Sequence, residues 1–124
     1  MVNMAKKHYN LTELESSEQE TLVKYLEIKR LKFTSIPNST FTKSFAIKMK
    51  NKREGLRKGL PDMLVILPTK LLFIEMKRYE GGVLSPEQKE WIEQLNKIGN
   101  QVEAIVCRGC GEAIDKIEKE LRLG

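Results

Sequence analysis

The stretch Gly59-Leu60-Pro61-Asp62-Met63-Leu64-Val65-Ile66-Leu67, then Pro68-Thr69-Lys70, then Leu71-Leu72-Phe73-Ile74-Glu75-Met76-Lys77 reads as a β-hairpin closed by charge. Apolar and β-branched residues fill Met63 to Leu67 and Leu71 to Ile74, as paired strands require. Pro68-Thr69-Lys70 marks the reversal between them. Asp62, Glu75 and Lys77 then sit together at the open end. An ionised group beside a core is costly unless it is paired or bound to metal. A divalent cation acting on a phosphodiester gives all three charges a reason to be there.

Side chains alternate along a strand, so Glu75 and Lys77 share a face in any register. Asp62 joins them if the loop is even, with Leu67 opposite Lys70 and Asp62 opposite Glu75. Leu64, Ile66, Leu71 and Phe73 then continue that face inward. An odd loop puts Asp62 on the other face unless a bulge corrects it. The spacing leaves both registers open; the chemistry favours the even one.

The chain of 124 residues carries a net charge of +5. Its length suits a single domain over residues 1–124, with residues 1–15 as a loosely held, polar leading segment. No apolar run approaches the roughly 20 residues that span a bilayer, so no membrane partner is expected. Residues 1–10 lack the apolar segment of a secretory signal, and two cysteines make no disulfide framework. A cytoplasmic protein, in a bacterium or a virus-infected host cell, is the expectation. Cys107-Arg108-Gly109-Cys110 has redox or zinc spacing, but zinc needs two further ligands and no second pair exists.

The charge is unevenly placed. Between Phe41 and Leu60 lie Lys43, Lys48, Lys50, Lys52, Arg53, Arg57 and Lys58 against one acid, Glu54, so this stretch carries +6 and the remainder sums to −1. A cationic segment just before Asp62 is the footprint expected for phosphate contacts. A solvated lysine loop is the plainer alternative; its place beside Asp62 favours nucleic acid.

Along the rest of the chain, Ser17 to Arg30 predicts a helix with Leu22, Val23 and Leu26 on one face and a Ser17–Glu20 capping box. Lys32 to Pro37 predicts a strand, and the long connection from Asn38 to Gly59 has room for a short helix around Ser44 to Lys52. Ser85-Pro86-Glu87-Gln88 reads as N-cap, first-turn proline and box-closing glutamine. Trp91, Ile92, Leu95 and Ile98 make that helix's expected buried stripe. Gln101 to Cys107 is a strand and Gly111 to Leu121 an amphipathic helix. The expected fold is α/β, a mixed β-sheet flanked by helices in the order α-β-β-β-α-β-α.

That order, with Pro61-Asp62 and Glu75-Met76-Lys77, resembles the restriction-endonuclease-like PD-(D/E)XK nuclease superfamily. Gly59-Leu60-Pro61-Asp62, Phe73-Ile74-Glu75-Met76-Lys77, Leu84-Ser85-Pro86-Glu87-Gln88, Gly99 and Ile36-Pro37-Asn38 narrow the resemblance to the VRR-NUC family, the virus-type replication-repair nucleases. It spans about Ser17 to Cys107. The family pattern includes an acidic residue in the first helix, for which Glu20 is the candidate. The resemblance implies a homodimer cutting branched DNA such as Holliday junctions in repair, recombination or viral genome processing, with 5′-phosphate and 3′-hydroxyl products.

The residue types suggest the chemistry. Asp62 and Glu75 are hard oxygen ligands for Mg²⁺ or Mn²⁺, with the Met76 carbonyl as a further ligand. Lys77 orients a water and offsets charge on the phosphate. Glu20 is a candidate for a second cation or its water, and Gln88 for steadying Glu75, Lys77 or the phosphate. Singly, Asp62 reads as a turn residue, Glu75 and Lys77 as a surface ion pair, and Glu20 as a capping residue. Together they read as a metal-dependent endonuclease. The alternatives are a nuclease of linear duplex DNA, a non-catalytic nucleic-acid-binding module, and a metal-free interaction protein.

Overall fold

Alternation along the hairpin decides which side of the sheet is dry. The computed structural model describes residues 11–37 and 43–124, with the backbone alone for residues 11–16. Its elements are α1 (Leu11–Ile28), β1 (Lys32–Ser35), α2 (Phe45–Arg53), β2 (Met63–Ile66), β3 (Leu71–Lys77), α3 (Pro86–Asn96), β4 (Val102–Arg108) and α4 (Cys110–Leu123). The four strands lie in the order β1-β2-β3-β4. The first two pairings are antiparallel and β3 runs parallel to β4. A parallel neighbour cannot be reached by a tight turn, and α3 supplies the crossover. This is the expected mixed sheet flanked by helices, with α2 added inside the basic connection.

The register is the even one. Met63 pairs with Ile74 and Ile66 with Leu71, and the Leu67 N–H donates to the Lys70 carbonyl at 2.9 Å around Pro68-Thr69. Met63, Val65, Leu72, Ile74 and Met76 therefore share one face and are buried, packed against Leu22 and Leu26 of α1 and Ala113 and Ile117 of α4. The core lies on this face, not on the face of Asp62 and Glu75. Leu64, Leu71 and Phe73 are only half-buried, and Ile66 is 50% exposed. Two helices cover the first face, whereas the second has the shorter α3, whose Gln88 reaches Glu75 and whose Asn96 clasps the Ala104 backbone. That clasp, with Ala104 N–H to Asn96 Oδ1 at 2.7 Å and Asn96 Nδ2 to Ala104 O at 3.0 Å, also occupies the outer edge of β4.

Three expectations need correction. α1 begins at Leu11, so residues 11–15, expected to be loosely held, are helical. Ser17 and Glu20 are then interior helix positions, with Thr21 Oγ1 donating to the Ser17 carbonyl at 3.1 Å, and no capping box forms there. The α3 stripe is not core: no α3 residue is fully buried and Ile98 is 65% exposed. Residues 1–10 and Asn38 lie outside the described residues. The box at Ser85 and Gln88 forms in full.

Candidate active site

The register that fixes the core also fixes the charges. Continuing the β2–β3 pairing past Met63 and Ile74 sets Asp62 opposite Glu75 at a non-hydrogen-bonded position, where side chains on one face come closest. The next position sets Pro61 opposite Met76. The Met76 N–H, turned towards β2, donates to Asp62 Oδ2 at 2.9 Å. The Met76 carbonyl faces the same way, and proline has no N–H to give it. Lys77 lies on the Glu75 face with Nζ 3.6 Å from Glu75 Oε1. Gln88 Nε2, from the first turn of α3, donates to the same Oε1. Asp62, Glu75, Lys77, Gln88 and the Met76 carbonyl are thus brought to one place.

Glu75 is 2% exposed, and its Oε2 has no hydrogen-bond partner among the described residues. A buried carboxylate oxygen left without a donor is expensive. Burial, followed by the neighbouring Asp62 carboxylate, pushes the Glu75 carboxyl up to about 8, while Lys77 pulls it down. A divalent cation would relieve both causes. The residues fit one: Asp62, Glu75 and the Met76 carbonyl are hard oxygen donors. Among the described residues no cluster of three or more His, Cys, Asp or Glu is poised to hold a metal.

Glu20 does not join the pair. It is exposed on α1, which packs on the opposite face of the sheet. Of the seven cations, Lys48, Lys50, Lys52 and Arg53 stand on α2, which buries none of its residues, and Lys43 precedes it. Arg57 and Lys58 lie against the wall of α3. Lys58 Nζ lies 3.2 Å from Glu87, and the Lys58 carbonyl accepts the Trp91 indole N–H at 3.0 Å. Trp91 is therefore the side of a groove rather than a core residue. Burial pushes the Cys107 thiol up to about 12, and burial with a Glu18 hydrogen bond raises Cys110, so neither is a ready thiolate.

Some positioning residues gave little sequence signal. Gly59 has φ +103°, and a Cβ there would stand 2.8 Å from the Glu87 carbonyl carbon, so the chain before Asp62 runs hard against the first turn of α3. Arg108 donates to the carbonyls of Arg78 at 3.1 Å and Gly82 at 2.8 Å, fixing the connection from Lys77 to the α3 cap. Glu18, not Glu20, is the α1 acid with a partner at this end of the sheet, accepting the Cys110 N–H at 2.7 Å at the start of α4. Only Gly59 had a motif to draw attention to it; a lone Arg or a mid-helix Glu looks like any solvated charge.

A VRR-NUC domain model matches residues 6–110. A solved structure titled VRR_NUC domain protein is 30% identical, covers 90% of this chain and 90% of its own, and superposes with a TM-score of 0.66. Another, titled VRR_NUC domain, is 25% identical over 85% of this chain and 94% of its own, with a TM-score of 0.59. Comparison with curated proteins gives no match. With the match spanning most of the chain and the hairpin in the expected register, the chain belongs to the VRR-NUC family and carries a nuclease domain of the PD-(D/E)XK type.

Proposed function

We propose that the protein is a Mg²⁺- or Mn²⁺-dependent, structure-selective endodeoxyribonuclease acting on branched DNA such as four-way junctions. The observation that carries the reading is the Glu75 carboxyl group, buried opposite Asp62 with Oε2 lacking a donor and Lys77 alongside. Asp62, Glu75 and the Met76 carbonyl would hold the cation, which when bound supplies Lewis acidity towards the scissile phosphate. Gln88 keeps Glu75 Oε1 engaged, leaving Oε2 for that role. The Lys77 ammonium, tethered to Glu75, orients the attacking water and neutralises charge building on the phosphate oxygens. The new P–O bond comes from water and the P–O3′ bond breaks, leaving a 5′-phosphate and a 3′-hydroxyl. A two-fold homodimer suits a junction because paired cuts need paired sites.

The test is incubation with Mg²⁺ or Mn²⁺ and sequence-matched linear and four-way substrates, with Lys77→Ala and Asp62→Asn as controls. Junction cutting that both substitutions abolish supports the proposal. Equal cutting of linear duplex makes this a nuclease without branch selectivity. Cleavage that survives Lys77→Ala belongs to a contaminant, and DNA binding without cleavage makes the protein a binding module.

A further inference from the structure

Apart from Asp62 and Glu75, the described residues form a groove of about 420 Å³ between the segment ending at Lys58 and the wall of α3. That volume is within the range of about 300–1,000 Å³ usual for small-ligand clefts. Its α3 wall is Glu87, Glu90, Trp91 and Gln94, one stripe at helical spacing, and its facing rim is Arg57 and Lys58. We infer that this groove receives an unpaired nucleobase of the DNA strand, stacked on the Trp91 indole, beside the strand engaged at Asp62 and Glu75. The inference rests on the nucleic-acid substrate proposed above and adds how the strand is recognised.

Each part of the groove suits that occupant. The Trp91 N–H is tied to the Lys58 carbonyl, which fixes the ring before any ligand arrives and lowers the entropy lost on stacking. The rim cations end the basic segment that begins at Lys43, so a backbone following that segment is led to the groove. Glu87, Glu90 and Gln94 line the other wall with acceptors, matched to the exocyclic amino groups of bases and mismatched to phosphate. Trp91 is also one turn beyond Gln88, about 4.5 Å further along α3, and Gln88 is bonded to Glu75. A base on Trp91 is therefore next to the cutting site, and a stacked duplex offers no such base. Branch points do.

Trp91 is the chain's sole tryptophan, so its fluorescence reports on the groove directly. In metal-free buffer the protein is titrated with a flayed duplex carrying unpaired cytosines, with the same DNA bearing abasic residues at those positions, and with deoxycytidine monophosphate. Quenching by the first alone is expected, since the abasic DNA keeps every phosphate. By anisotropy of labelled DNA, Trp91→Leu is expected to weaken binding about 5- to 150-fold, the range for losing one stacked base, and Trp91→Phe to restore most of it. Cleavage by Trp91→Leu should show a larger rise in KM than fall in kcat. Equal quenching by abasic and base-containing DNA, equal quenching by the mononucleotide, or Trp91→Leu binding like the wild type would overturn the inference. The nuclease reading fails separately: a protein that quenches but never cuts keeps the groove and loses the chemistry.

Discussion

Gln88 ties Glu75 to the start of α3: its Oε1 accepts the Ser85 N–H at 2.9 Å while its Nε2 donates to the Glu75 carboxylate. The helix cap and the candidate catalytic carboxylate thus share one side chain. The Ser85 hydroxyl completes the box by accepting the Gln88 N–H at 3.1 Å.

Gln88→Glu separates the two roles. Glutamate closes a capping box as well as glutamine does, so the cap should survive, and the stability cost, about 1–3 kcal/mol, should come from the buried Glu75 carboxylate that loses its donor. The donor to Glu75 is lost and a like charge takes its place, so cleavage should fall at least ten-fold. Ser85→Ala does the reverse: it removes the cap, at a cost of about 1 kcal/mol, with a much smaller effect on rate. Melting curves and single-turnover rates on the two variants check this. Parallel losses in both variants would mean that Gln88 serves only the helix.

Glu75 makes the metal-free protein sensitive to pH. Its folded carboxyl is pushed up to about 8 from an ordinary 4.5, so between those values the folded chain holds a proton that the unfolded chain releases. Stability therefore falls as pH rises through that window and levels off above it. Glu18, Glu103 and Glu120 are held below the ordinary range, so their stabilising effect is lost at lower pH. Melting temperatures from pH 5 to 8.5 should fall in EDTA. Mn²⁺ should flatten the slope by replacing the proton, and Glu75→Gln should remove both the slope and the Mn²⁺ effect. A flat profile in EDTA would show that the Glu75 carboxyl is not strained.

Gly59 and Gly55 form a matched pair. Both have φ near +100°, but a Cβ at Gly55 meets nothing within 4 Å, whereas one at Gly59 meets the Glu87 backbone. Gly55→Ala should therefore cost only backbone strain, about 1–2 kcal/mol. Gly59→Ala adds a clash that must push the first turn of α3, and Gln88 with it, away from Glu75. A larger loss of stability, about 2–4 kcal/mol, and a disproportionate loss of cleavage are expected by denaturant titration and rate measurement. Equal effects would show that the close approach relaxes harmlessly.

The sequence was most legible where one constraint acted alone. The spacing left two registers open for the hairpin, and the charges of Asp62, Glu75 and Lys77 singled out the even one that the structure adopts around Pro68-Thr69; Ser85-Pro86-Glu87-Gln88 has no competing reading as a helix start. Periodicity failed where tertiary packing decides. The i, i+3, i+4 spacing of Trp91, Ile92, Leu95 and Ile98 implies a buried face, yet α3 sits over a partly open side of the sheet with its Trp91 edge against Lys58. Likewise Ser17 has the chemistry of an N-cap, but α1 begins earlier at Leu11 and absorbs it. Nothing local distinguishes Glu18 from Glu20. Only the arrival of Cys110 from the far end of the chain gives Glu18 a partner.

The exposed lysines of α2 offer a test of phosphate contact that spares the fold. Lys48, Lys50 and Lys52 are all exposed, and the only ion pair recorded for them among the described residues is the long Lys50–Glu54 contact at 3.8 Å. Changing the three to Gln should leave the melting temperature within a degree or two, since exposed pairs of that kind contribute little. If each touches a phosphate, the slope of log affinity against log salt should become shallower by about 0.9 per residue on duplex DNA. Affinity at low salt should drop and converge with the wild type as salt rises. Arg57 and Lys58, beside the Trp91 groove, should give the same flattening together with a change in preference for unpaired DNA. A slope unaltered by the triple substitution would place the strand away from α2 and leave Arg57 and Lys58 as the cations that matter.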